Sequence, residues 1–155
     1  MNLSFKSVKS IFRKQNGFSK RAPLTDKMEA DVMSKLERED FKSLTNKDIP
    51  ALISILTFAR NHIRWNAVNA LQRLDLEESH MDELVELLKS KHVDDRLGAC
   101  MAFCHIREPK AIPGLIKLVK DYHWPIRSNA RIALAELYFF TNDKRAGKVL
   151  LKSNL

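Results

Sequence analysis

The sequence predicts an all-α protein: an α-solenoid (superhelix) of three helical pairs with N- and C-terminal capping helices. Three observations predict it. Apolar residues recur at helical spacing, the same two-stripe unit returns three times with a period just above thirty, and breakers are few, with four Gly and five Pro in 155 residues. A unit of that length cannot bury its apolar face alone and must stack on copies of itself. With 45% hydrophobic and 30% charged residues, the chain has the composition of a folded domain long enough to build its own core.

Residues 1–25 form a basic amphipathic segment and residues 26–155 a single repeat domain. In the segment, Phe5, Val8, Ile11 and Phe12 fall on one side of a helix, with Lys6, Lys9, Arg13 and Lys14 around the rest and Lys20 and Arg21 following. Three readings compete: a cap docked on the repeats, which two Phe beside an open solenoid end favour, an interfacial helix on anionic lipid, and a basic arm for nucleic acid. Its acid-poor, Ser-containing pattern also matches an organelle transit peptide. The next stretch, Asp26 to Asp40, places Met28, Val32, Met33 and Leu36 on one side, as a cover for the first unit requires.

The repeats run over about 48–75, 80–107 and 110–140. In the first half of each unit the apolar set is Ile49, Leu52, Ile53 and Leu56, then Met81, Leu84, Val85 and Leu88, then Ile112, Leu115, Ile116 and Val119. This i, i+3, i+4, i+7 pattern is one helical face. In the second half an arginine recurs, Arg64, Arg96 and Arg127, followed at fixed offsets by paired alanines and two larger apolar residues. Small residues there let second helices approach closely. Twelve residues separate Leu52, Leu84 and Leu115 from their arginines, so the turn inside each pair keeps its length, and the one-residue change of period falls between units. Asp48 is expected to cap the helix starting at Ile49, and Ser79 with Asp82 resembles a capping box. Pro50, Pro109, Pro113 and Pro125 sit near helix starts, where a missing N–H costs little. A last amphipathic stretch, 142–152, carries Ala146, Val149 and Leu150 as the C-terminal cap.

Two helices per unit, this period, and an arginine opening an alanine-rich second helix resemble HEAT repeats of the short, phycobilisome-lyase-like kind, over residues 48–140. The resemblance implies that second helices line a concave surface and that the chain is a binding scaffold. That family also tends to place an aspartate just before the arginine. Asp94 and Asp95 supply one in the second unit, whereas Asn61 and His123 occupy the region in the others.

The formal charge of +8 is concentrated at the ends. Residues 1–25 carry +6 and residues 141–155 carry +3, which leaves the repeats at −1. An anionic partner, nucleic acid or a membrane surface, would therefore meet the termini. Chemistry has little footing. The sequence contains no Gly-rich phosphate loop, no HExxH and no Ser, His, Asp arrangement in a suitable context. HEAT-like deoxyhypusine hydroxylases carry adjacent His-Glu pairs, and none occurs here. HEAT-like DNA glycosylases use a basic concave face, which near-neutral repeats do not provide. Cys100, Cys104 and His105 offer no fourth ligand, so no metal and no cofactor are expected. The two cysteines read as small buried thiols in a reducing compartment, and the absence of an apolar run long enough for a span or signal suggests the cytoplasm.

The candidate partner-binding residues lie on a stripe of the second helices: His62, Asn66, Asn69 and Arg73; Asp94, Gly98, Met101 and His105; Pro125, Asn129, Ile132 and Glu136. From it, Asn66, Asn69, Arg73, His105 and Asn129 are the expected contacts of a peptide or helix in the groove, against the alternative of a solvated face. Arg64, Arg96 and Arg127 are expected to form a structural ladder between units rather than a phosphate site. Trp65 and Trp124 fit either packing or anchoring. The function that follows is a non-catalytic scaffold, adaptor or regulatory subunit of the inhibitor or immunity type, binding another protein through the groove. The alternative is a nucleic-acid-binding protein that uses its cationic termini.

Overall fold

The structure, a computed structural model, describes residues 26–152, so the segment with Lys6, Lys9, Arg13, Lys14, Lys20 and Arg21 lies outside the described residues. The described chain runs through eight α-helices: α1 Asp26–Glu37, α2 Ile49–Leu56, α3 Asn61–Leu71, α4 Glu78–Leu87, α5 Val93–Phe103, α6 Ile112–Leu118, α7 Trp124–Thr141 and α8 Lys144–Lys152. No strand occurs among the described residues. Short turns join α2 to α3, α4 to α5 and α6 to α7, and each pair stacks on the next as a solenoid requires.

The helical stripes explain the stacking. Ile49, Leu52, Ile53 and Leu56 are all 0% exposed, as are Leu84, Ile112 and Leu115, while Met81, Val85 and Ile116 pack at the margin of the same core. On the second helices Ala67, Ala99, Ala102, Ala130 and Ala133 are fully buried, and their small side chains let α3, α5 and α7 lie close together. The central helix α5 packs against α2, α3, α4 and α7, and every residue from Asp95 to Phe103 is buried.

Two helix starts differ from the sequence reading. Asp48 stands before α2 but does not cap it. Its carboxylate turns back to accept the Thr45 N–H at 2.8 Å and the Thr45 hydroxyl, closing a 3-10 turn over Asn46–Asp48 instead. The second unit's first helix begins at Glu78, ahead of Met81, with Glu77 and His80 in the reciprocal positions assigned to Ser79 and Asp82. The Glu77 amide donates to His80 Nδ1 at 3.1 Å.

Covers close both ends. α1 lays Val32 and Leu36, both 0% exposed, on α2 and α3, and α8 lays Ala146, also 0% exposed, on α7 and α6. α7 stops at Asn142, whose φ of 54° is the left-handed conformation that ends helices. A chain ending at Leu137 would expose the surface under α8 and should aggregate. A monodisperse truncated chain in light scattering would remove the capping role of α8.

Candidate functional site

Side chains of the second helices separate into those that reach solvent and those that hold the stack. On α3, Trp65 and Asn69 are exposed, and so is Arg73 just beyond its end. Trp65 is 37% exposed and meets His105, in the turn after α5, edge to face, with ring centroids 5.6 Å apart and planes at 79°. The Arg73 guanidinium lies 5.3 Å above the Phe41 ring, which orders it without burying it. Beside His105 a shallow cleft of about 460 Å³ opens between the end of α3 and the start of α4, lined among others by Gln72, Asp75, Leu76 and Met81. Its rim is held by Asn46, whose side chain both donates to Asp75 and accepts the Asp75 N–H. Asn69, Arg73 and His105 thus stay open on one surface, joined by Trp65.

Four other positions of the expected stripe, Asn66, Gly98, Met101 and Asn129, are engaged within the fold. The Asn66 amide donates to the Leu36 carbonyl at 3.0 Å and fastens α1 to α3. The Asn129 amide donates to the Pro125 carbonyl one turn back, at 2.8 Å, and the Cys104 thiol lies against the Asn129 backbone carbonyl. The Asn66 side chain ties two helices together, and the Asn129 side chain is engaged within its own helix. Gly98 leaves no room for one either. It sits against the backbone of Leu56, and a Cβ at position 98 would lie 2.3 Å from the Leu56 carbonyl oxygen. Met101 is 2% exposed. The physical reason is the central place of α5: a helix sandwiched between four others has little free face.

The three arginines reach main-chain carbonyls at the turn inside their own pair. Arg64 Nε donates to the Leu56 carbonyl at 2.9 Å; Arg96 Nη1 donates to those of Ser90 and Lys91 at 2.9 and 3.0 Å; Arg127 Nη1 donates to those of Asp121 and Tyr122 at 2.8 and 3.0 Å. Two of them also cross to the following unit. Arg64 pairs with Asp94, and Arg96 Nε with Asp121 at 2.8 Å. Asp94 is the aspartate that the sequence pattern marks. Asp121 is not, because it lies six residues before Arg127 rather than two before, and only folding brings it to Arg96.

The Arg96–Asp121 pair is enclosed, with side chains 8% and 5% exposed. Burial alone would push the Asp121 carboxyl up. The Arg96 guanidinium and the His123 amide, which donates to it at 2.9 Å, outweigh burial and hold it below the usual aspartate range. Asp95 shifts the other way: burial raises its carboxyl, against a lowering bond from Ser90 at 2.7 Å.

Both cysteines are free and buried. Burial pushes the Cys100 thiol well up, and the Cys104 thiol up to about 12. At neutral pH they remain thiols, unsuited to nucleophilic attack. Among the described residues no group of three or more His, Cys, Asp or Glu is placed to hold a metal ion, and no helix is long and apolar enough to cross a membrane.

One set of exposed side chains carried no sequence signal. Tyr122, Trp124, Ile132, Phe139 and Phe140, in and just before α7, are 76%, 68%, 50%, 84% and 60% exposed. Arg107 lies 5.4 Å over the Phe140 ring. Of these only Trp124 and Ile132 stood out in the sequence, and neither as part of an apolar surface.

Residues 81–153 match the family described as HEAT repeats. The match does not single out the phycobilisome-lyase type. No curated protein matches the chain.

Proposed function

Starting from the fact that the chain is a HEAT-like repeat protein, we propose that it does no chemistry of its own and serves as an adaptor or regulatory subunit. It holds a partner protein on the surface formed by Trp65, Asn69, Arg73 and His105. HEAT repeats in general mediate protein–protein interaction. The observation that carries the finer reading is the Trp65–His105 contact beside the cleft. It joins side chains of two successive units into one surface, with an aromatic anchor, two polar groups and a cation that are not consumed by the fold. A ligand there touches both units and loses more water per contact than on a convex face. The raised thiols fit a role without catalysis, and the free thiols fit a cytoplasmic setting.

Affinity capture from the native source, with the partner then purified and titrated, tests the reading. Replacing Trp65 and Asn69 by Ala should keep the helicity and lower the melting temperature only in part, because Asn69 reaches solvent and Trp65, 37% exposed, gives up the packing of its covered side. It should weaken partner binding by roughly 30-fold, the loss of one aromatic hot spot. Unchanged affinity in the folded double variant overturns the surface. The cationic termini offer a second reading on one observation: Lys144, Lys148 and Lys152 are exposed at successive turns of α8. Nucleic-acid binding there would fall steeply as salt rises. If the full chain binds neither DNA nor RNA at low salt, that reading is finished.

A further inference from the structure

The apolar face of α7 carries an arrangement that fits a second copy of the chain. Trp124, Ser128, Arg131, Ile132, Ala135 and Phe139 follow one another at steps of four, three, one, three and four residues. At 100° per residue they fall on one side of α7, opposite its buried stripe of Ile126, Ala130, Ala133, Leu134 and Leu137. The order is symmetric about the point between Arg131 and Ile132. A large aromatic stands at each end, a small residue comes next on each side, and Arg131 and Ile132 share the middle.

We propose that the protein forms a two-fold homodimer in which α7 packs antiparallel on α7 of its partner, with the axis at Arg131 and Ile132. A two-fold interface must be self-complementary, and this spacing is. In that register each Trp124 stacks against the partner's Phe139, and each Ser128 faces the partner's Ala135, small against small, which lets the helices close. The two Ile132 side chains meet at the axis. The Arg131 pair lies on the opposite rim, where its long stems cover apolar surface and its charges reach water.

The exposed area is a substantial part of what a dimer needs. From exposures of 68%, 84% and 50%, Trp124, Phe139 and Ile132 present on the order of 400 Å² per chain. That is a large apolar patch for a monomer, and it is about half of the roughly 800 Å² each partner contributes to a standard interface, with the Arg131 stem, Ser128 and Ala135 adding to it. This face shares no residue with the α3 surface proposed for the partner protein, and the variants that test the two are different, so either can fail alone.

Light scattering on the full chain should give about twice the mass of the 17.9 kDa protein, with dissociation on dilution. Ile132→Arg places two further cations at the axis and should raise the dimer dissociation constant by roughly 100-fold. Circular dichroism and melting of the variant check that it folds. Cysteine pairs then read the register. An equal mixture of Ser128→Cys and Ala135→Cys chains should cross-link under mild oxidation, whereas neither should cross-link alone, because like positions lie about 10 Å apart along the axis. A chain that is monomeric at tens of micromolar, a dimer indifferent to Ile132→Arg, or self-cross-linking of Ser128→Cys each overturns the proposal.

Discussion

Replacing Asp121 by Asn should destabilise the protein by about 3–5 kcal/mol, the cost of leaving a buried charge without its partner. Arg96 is 7% exposed and its Nε points at Asp121. The Ser90 and Lys91 carbonyls remain on Nη1, but they bring only partial charge. Asn keeps the shape and loses the anion, so the loss is electrostatic and not a cavity. For a chain of this size, the melting temperature should fall by roughly 10 °C.

The same substitution at Asp94 gives the contrast. Its carboxylate is 44% exposed, and Arg64 keeps the Leu56 carbonyl and the Asn61 side chain. Asp94→Asn should therefore cost about 1 kcal/mol or less. Equal losses at the two positions would refute the distinction between an enclosed and a solvated rung. The pH dependence has a sign that follows from the shifts. Asp121 is held below its unfolded value, so its contribution is present at neutral pH and is lost as pH falls through that lowered range. Asp95 is raised, so its contribution is present in acid and is lost as pH climbs through its raised value. Urea titrations of wild type between pH 2 and 7 should show an acid loss, concentrated below about pH 4, that Asp121→Asn reduces.

The stacking was legible because it rests on repetition. The stripes at Ile49, Met81 and Ile112 and the arginines at Arg64, Arg96 and Arg127 repeat in step, and a helix with such a face has few alternatives to burying it. What the stripes do not reveal is which neighbours surround a given helix. Positions aligned with Asn66 and Asn69 in α3 are Gly98 and Met101 in α5, and these are buried because α5 is the middle helix while α3 is not. Asp121 escaped for a related reason. Its partner is 25 residues away, and Asp121 itself stands where the other units have Phe58 and Ser90. The apolar face of α7 was hidden because periodicity marks Trp124, Ile132 and Phe139 as helical without saying that none of the other described helices covers them.

Gly98→Ala should lower stability by about 2 kcal/mol, although alanine is the better helix former by about 1 kcal/mol. The decision between the two effects comes from what the methyl group meets. A Cβ at position 98 lies 2.3 Å from the Leu56 carbonyl oxygen, 2.8 Å from its carbonyl carbon and 3.0 Å from its Cβ. These are mainly backbone atoms at the end of α2, so relief requires α2 and α5 to part. Overpacking of this kind costs about 1–3 kcal/mol, more when the neighbour cannot turn away. Here the neighbour is also the acceptor for Arg64 Nε at 2.9 Å, so moving it strains the first rung as well. Gly114 supplies the control, since a Cβ there meets the Leu88 side chain, its Cδ1 at 2.9 Å, and a leucine terminus can swing aside. Gly114→Ala should be neutral to within about 1 kcal/mol. Urea midpoints for the two variants decide the matter. If Gly98→Ala melts at or above wild type, then α5 is not seated on Leu56 as described, and the close packing that sets Trp65 beside His105 has another origin.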